Sequence, residues 1–185
     1  MLQVDMSSTV RTVFGKGEMR RLRRQNKTPA VMYSGGEDTL ALEVDTADLH
    51  KKLLFIHGRN AVVNLNVTGE QAGRHHVLVQ EIQVHPVTDK LIHVDFLEID
   101  LEKPIEFMVP LKFTGTAKGV DMGGELRVIK HAVRLRGKPL DIPDEIETDI
   151  TSLGRGGDGL TFSEIKIPAG VEMLEDPGVT CVMVD

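Results

Sequence analysis

Arginine fills four of the five positions in RRLRR, residues 20–24, and Arg11 and Lys16 precede them. Guanidinium groups at this density are suited to planar, two-pronged binding of phosphate oxygens. Residues 11–27 hold seven basic side chains against one acidic one, in a chain whose formal net charge is −6. The cluster is therefore no by-product of a basic composition. Tyr33, the only tyrosine, follows within one short strand, and an aromatic beside arginines offers a surface for stacking on a base or packing on a sugar. The plain alternatives are a solvated charged face for the arginines and a half-buried strand aromatic for Tyr33.

The second group able to do chemistry is His93 and Asp95 in KLIHVDFLEID. Strand periodicity sends Ile92, Val94 and Phe96 to one side and sets the imidazole and the carboxylate together on the other. An enzyme would need a nucleophile nearby, and none is evident. An RNA-binding surface uses the same pair differently: the carboxylate accepts from base amino groups or a ribose 2′-hydroxyl, and the histidine stacks or donates. Other signals fail. GKG at 15–17 is followed by Glu18 and lacks the spacing of a phosphate-binding P-loop. His75, His76, His85 and His93 have neither a nearby cysteine nor the spacing of a zinc site, so neither metal nor cofactor is expected.

These residues need elements to position them. EMRRLRRQNK reads as a helix with Met19 and Leu22 on one apolar side, Arg20, Arg21 and Arg24 facing away, and Arg23 at the border. Arg20 and Arg24 are a like-charge pair at i,i+4, destabilising by a few tenths of a kcal/mol unless a polyanion lies against them. Pro29 ends the helix or continues the chain as extended structure. TLALEV, AVVNLNVTG and HHVLVQEIQV alternate as strands, with turns at Gly69 and Gly73. DTADLHKKLLF reads as a short helix capped by Asp45 or Thr46, with Leu49, Leu53 and Leu54 buried. Beyond residue 98, short strand-like runs alternate with Gly- and Pro-bearing turns. The expected fold class is therefore mainly β, with a boundary near residue 98 where FLEIDLEKPIEF interrupts two apolar runs.

Charge follows the same division. Residues 1–96 carry 12 basic and 11 acidic side chains, net +1, whereas residues 97–185 carry 10 and 17, net −7. Two domains with different partners are expected, 1–98 and 99–185. No run of about 18 apolar residues exists to span a membrane. The N-terminus does not read as a secretory signal, and a lone cysteine, Cys181, fits a reducing compartment, so a cytoplasmic protein is expected.

Taken together, GKGEMRRLRRQNKTPAVMYSGG, EIQVHP and HVDFLEI resemble the bacterial 5S-rRNA-binding ribosomal protein family (large-subunit ribosomal protein twenty-five). The resemblance is closest to its long, two-domain form, the general stress protein Ctc, and it continues through VPLKFTGTAKGVDMGGEL and DIPDEIETDITSL. It implies an N-terminal small β-barrel with short helices, akin to the anticodon-binding barrel of glutaminyl-tRNA synthetase, and a β-rich C-terminal domain. It also implies a non-catalytic structural role on the large ribosomal subunit, with 5S rRNA bound at loop E and neighbouring ribosomal proteins as further partners. The RNA-contacting positions it implies are Arg11, Arg20, Arg21, Arg23, Arg24, Tyr33, His93 and Asp95, with Lys16 as a further backbone contact. Val84 stands where many members carry arginine or another large residue. Off the ribosome a monomer is expected. The rival readings are a tRNA-directed barrel and a stress-linked protein-interaction module.

Overall fold

The computed structural model describes residues 1–35, 39–56, 60–69, 72–157 and 159–185. The chain parts into two compact units, Leu2–Leu101 and, together with Met1, Glu102–Asp185.

The first unit is a closed barrel of six strands in the order β1-β3-β2-β6-β5-β4. In sequence these are β1 Leu2–Val10, β2 Lys27–Tyr33, β3 Leu40–Asp45, β4 Ala61–Thr68, β5 Gly73–Val84 and β6 Leu91–Glu98. Closure comes from two parallel pairings between strands distant in sequence: β1 with β4, from Leu2 opposite Ala61 to Thr9 opposite Thr68, and β2 with β6, from Ala30 opposite Val94 to Tyr33 opposite Leu97. A closed sheet leaves the ladders no free edge and turns every second side chain inward. Met6, Leu42, Leu65, Val77, Val94 and Phe96 fill that interior and are almost fully buried. Burial of each such side chain contributes on the order of 1.5–3 kcal/mol.

Two helices sit between strands. Helix α2, Thr46–Ile56, follows β3 directly, and Asp45 caps it: its Oδ1 accepts from the N–H groups of Ala47 and Asp48 at 3.0 and 2.9 Å. The expected buried side of α2 needs one correction. Leu49 and Ile56 are buried and Leu53 packs against the core, but Leu54 is 60% exposed. At 100° per residue the stripe through 49, 53 and 56 leaves position 54 outside it.

Helix α1, Lys16–Arg24, begins after Gly15, whose φ of 98° suits only glycine at that turn. Glu18 in the first turn and Arg21, Arg23 and Arg24 in the last complement the helix dipole. Asn26, in the left-handed region at φ 58°, ends the helix and turns the chain into β2. Leu22 is its buried residue, and the helix packs on β2.

The second unit has two open sheets. The four-stranded one runs β10-β7-β9-β12, built from β7 Ile105–Thr114, β9 Ala132–Gly137, β10 Ile146–Asp149 and β12 Glu172–Met173. The three-stranded one runs β11-β13-β8, from β8 Leu126–Val128, β11 Leu160–Thr161 and β13 Thr180–Val184. A one-turn helix α3, Lys118–Asp121, precedes Gly124, where a Cβ would stand 2.7 Å from the Asp185 carbonyl oxygen. Val109, Leu135, Ile142 and Phe162 are among its buried side chains. Cys181 is buried on β13, and burial pushes its thiol pKa up to about 11. That makes it a core residue rather than a nucleophile.

Candidate nucleic-acid interface

Strand register assembles the candidate residues on one wall of the barrel. Arg11 follows β1, and its main-chain N–H donates to the Ala41 carbonyl at 2.9 Å. Ala41 lies opposite Val31, and Val31 opposite Asp95. Arg11, Ala41, Val31 and Asp95 therefore form one row across four strands, spanning about 14 Å at the usual strand spacing. Tyr33 is two residues beyond Val31 on the same face, opposite Leu97 and half-buried. His93 is two residues before Asp95 on the same face of β6.

The His93 and Asp95 side chains meet: Nδ1 lies 2.5 Å from Asp95 Oδ1, each side chain about one-quarter exposed. An ionised carboxylate only accepts, so Nδ1 carries the proton and donates. The pair is thus held by its own hydrogen bond and presents the free Asp95 oxygen as an acceptor. Nε2 beside it accepts when the imidazole is neutral and donates when it is charged. Across the ladder, Gln83 lies opposite His93 and Glu81 opposite Asp95, and Gln83 Nε2 donates to Glu81 Oε1 at 3.0 Å. The same hairpin carries Val84, which is 48% exposed.

The expected core triplet on β6 is shifted. Val94 and Phe96 are buried, but Ile92 is only half-buried and Leu91 takes the inner place. A register shift pairs Gln83 with His93 and Val84 with Leu91, which leaves Ile92 as the extra residue. The Ile92 carbonyl at this bulge accepts from Arg23, whose Nε and Nη2 donate at 3.2 and 2.9 Å. Arg23 thereby ties α1 to the strand that carries His93 and Asp95.

The remaining arginines of α1 differ from Arg23 in their commitments. Arg20 and Arg24 are exposed and, like Lys16, have no side-chain partner among the described residues. Arg21 has a loose surface pair with Glu18, 3.3 Å away at i,i+3, an arrangement worth little in water. Arg11 folds back instead. Its Nη1 donates to the Val13 carbonyl at 3.1 Å and lies 3.1 Å from Met19 Sδ, its guanidinium carbon sits 5.1 Å from the centre of the Phe14 ring, and its Nε is buried without a partner. Burial holds the Arg11 pKa below its ordinary value, although the nearby Glu43 charge opposes this. Phe14 escaped the sequence reading; an aromatic immediately before GKG was the available signal.

The histidines do not converge on a metal. His75 faces Glu98 at 2.6 Å and His76 faces Asn64 at 2.9 Å, and no group of three metal-ligating side chains occurs among the described residues. A groove of about 540 Å³ lies where α1 ends and α2 begins, lined by Arg23, Asn26, Asp45, His50, Asp89 and Lys90 among others. Its charges are mixed. No helix among the described residues is long and apolar enough to cross a membrane.

Exposed basic side chains gathered on one wall of the barrel are the pattern of a binding protein. The comparisons narrow this class. Residues 6–96 match the model of the Ribosomal L25p family, and residues 104–185 match that of the ribosomal protein TL5 C-terminal domain. The large ribosomal subunit protein bL25 of Desulfotalea psychrophila is 47% identical over 174 residues, covering 94% of this chain and 93% of that one. The proteins of the same name from Nitratidesulfovibrio vulgaris and Syntrophotalea carbinolica are 37% and 36% identical, covering 97% and 100% of this chain and 93% and 88% of theirs. The chain belongs to the ribosomal L25p family, in the two-domain form that carries the TL5 C-terminal domain. That family consists of ribosomal proteins, not enzymes.

Proposed function

We propose that the protein is a structural component of the bacterial large ribosomal subunit that binds 5S rRNA, at its loop E region, through the wall bearing α1 and the Arg11–Asp95 row. The observation that carries this reading is the company those residues keep. Exposed Arg20, Arg24 and Lys16, without a side-chain partner among the described residues, stand on a helix pinned by Arg23 beside the His93–Asp95 pair. The cations, with Arg21, supply phosphate contacts that provide most of the affinity and set the orientation of the barrel. Arg23 acts by holding the helix in place.

Base reading falls to the His93–Asp95 pair. RNA helices hide their base edges in a deep, narrow major groove and display 2′-hydroxyls and base edges in a wide, shallow minor groove. The free oxygen of Asp95, and His93 Nε2 when the imidazole is neutral, accept from a guanine amino group or a 2′-hydroxyl, while Tyr33 packs beside them on a sugar or base. A carboxylate near a phosphate backbone is unfavourable for non-specific binding, so Asp95 favours the RNA whose donors meet it. The second unit, with 10 basic and 15 acidic side chains over residues 102–185, is repelled by bare RNA and suits basic neighbouring ribosomal proteins. On this reading the protein works in the cytoplasm, on the ribosome.

Footprinting of a 5S rRNA transcript by the full chain, with bulk tRNA as competitor, tests the reading. Protection confined to loop E and resistant to tRNA is the expected result. Protection lost to equimolar tRNA supports the tRNA-directed barrel, and none at modest salt returns the basic helix to a protein-docking role.

A further inference from the structure

We propose that Phe14 is a nucleobase-stacking residue, its solvent-facing ring taking one unpaired base of the bound RNA; this rests on the RNA-binding reading above. Phe14 is 64% exposed in the segment between β1 and α1, immediately before the basic helix. A single exposed phenylalanine is ordinary. What sets this one apart is how it is held. The Arg11 guanidinium lies over one side of its ring at 5.1 Å and hydrogen-bonds the Val13 carbonyl next to it. Arg11 is itself fixed to β3 through its main-chain bond to Ala41. Gly15, at φ 98°, then turns the chain sharply into α1.

The Arg11 contact restrains the ring before any ligand arrives, so a partner stacking on it loses less rotamer freedom. A cation over one side leaves the other free for a second π-system. The segment is flanked by Arg11 and Lys16, so the phosphates of the same nucleotide would meet positive charge. Tyr33, the aromatic that the sequence brings to attention, is half-buried in β2 and less able to serve in this way.

The test uses the full chain with two probes, a 5S rRNA transcript and a fully paired RNA duplex of equal length. The chain has no tryptophan, so Phe14→Trp places a sole tryptophan at the site, excited apart from Tyr33. Phe14→Ala and Phe14→Leu are expected to bind the transcript about tenfold or more weakly, with unchanged salt dependence and unchanged binding to the duplex. Phe14→Tyr should match the parent, and the Phe14→Trp emission should be quenched by the transcript. A leucine variant as tight as the parent, or a tryptophan whose emission is the same at saturation, overturns the stacking role. In both those cases steep, salt-sensitive binding by the parent leaves the RNA-binding reading standing. A parent with no affinity for either probe overturns both.

Discussion

Both units carry surface ion pairs, but they differ in how densely other cations are gathered. In the second, Lys112 reaches Glu145 and Glu147, Lys138 reaches Glu102 and Arg127 reaches Asp185, so these cations face carboxylates of their own unit. On the barrel, Lys16, Arg20 and Arg24 crowd one short helix with no such partner among the described residues. Exposed pairs of the first kind stabilise by at most about 1 kcal/mol, while like charges at i,i+4 destabilise by a few tenths. Neither arrangement governs folding. The difference concerns what lies outside the molecule. The barrel has ion pairs of its own, such as Lys27–Glu43 and Arg74–Asp5, yet gathers three further exposed cations on one nine-residue helix.

The largest expected effect probes whether the units stand apart energetically. Phe96→Ala empties the centre of the barrel, where Phe96 is wholly buried, and should cost about 3–5 kcal/mol. Calorimetry should show the barrel transition lowered and that of the second unit unmoved; a single transition shifting as a whole would merge the two regions. Next comes Asp95→Ala, expected to weaken 5S rRNA binding by about 1–3 kcal/mol even though it removes a negative charge. Tighter binding to 5S rRNA and to unrelated duplexes alike would end the reading of Asp95 as a base reader.

Arg23 and Arg24 sharpen the comparison within one helix. Arg23→Ala loses two charge-assisted bonds to the Ile92 carbonyl and should destabilise the barrel by roughly 1.5–3 kcal/mol while the salt slope of RNA binding stays put. Arg24→Ala should do the reverse, and equal behaviour of the two would refute the division of labour. The smallest effect belongs to Asp149 in the second unit. Thr151 hydrogen-bonds it, the main-chain N–H at 2.9 Å, and holds its carboxyl below the ordinary carboxylate range. A depressed folded-state pKa gives stability that is complete above the unfolded value, near pH 4, and is lost as pH falls through the folded one. Asp149→Asn should therefore lower that unit's stability slightly at neutral pH, leave it little changed in strong acid, and so flatten the acid limb of its stability curve.

Local chemistry made much of this visible in the sequence. The alternation in TLALEV became β3, Asp45 caps α2 as its residue type invites, and Pro29 follows the end of α1 as extended chain. What escaped was non-local. No periodicity could reveal that Ile92 is an extra residue on β6, and without that bulge there is no reason to separate Arg23 from its neighbours. The row from Arg11 to Asp95 likewise depends on β2 pairing in parallel with β6, strands more than fifty residues apart. Leu54 was misplaced for a simpler reason: five residues after Leu49, it lies about 140° round the helix, outside the buried stripe.

The central claim is that the exposed cations of α1 neutralise RNA phosphates. The most direct measurement is the dependence of 5S rRNA affinity on salt concentration for the parent and for Arg20→Ala/Arg24→Ala. The predicted slope of log K against log[salt] falls in magnitude by about two, roughly one per lost phosphate contact. A double variant with the parent's affinity and slope would contradict the account.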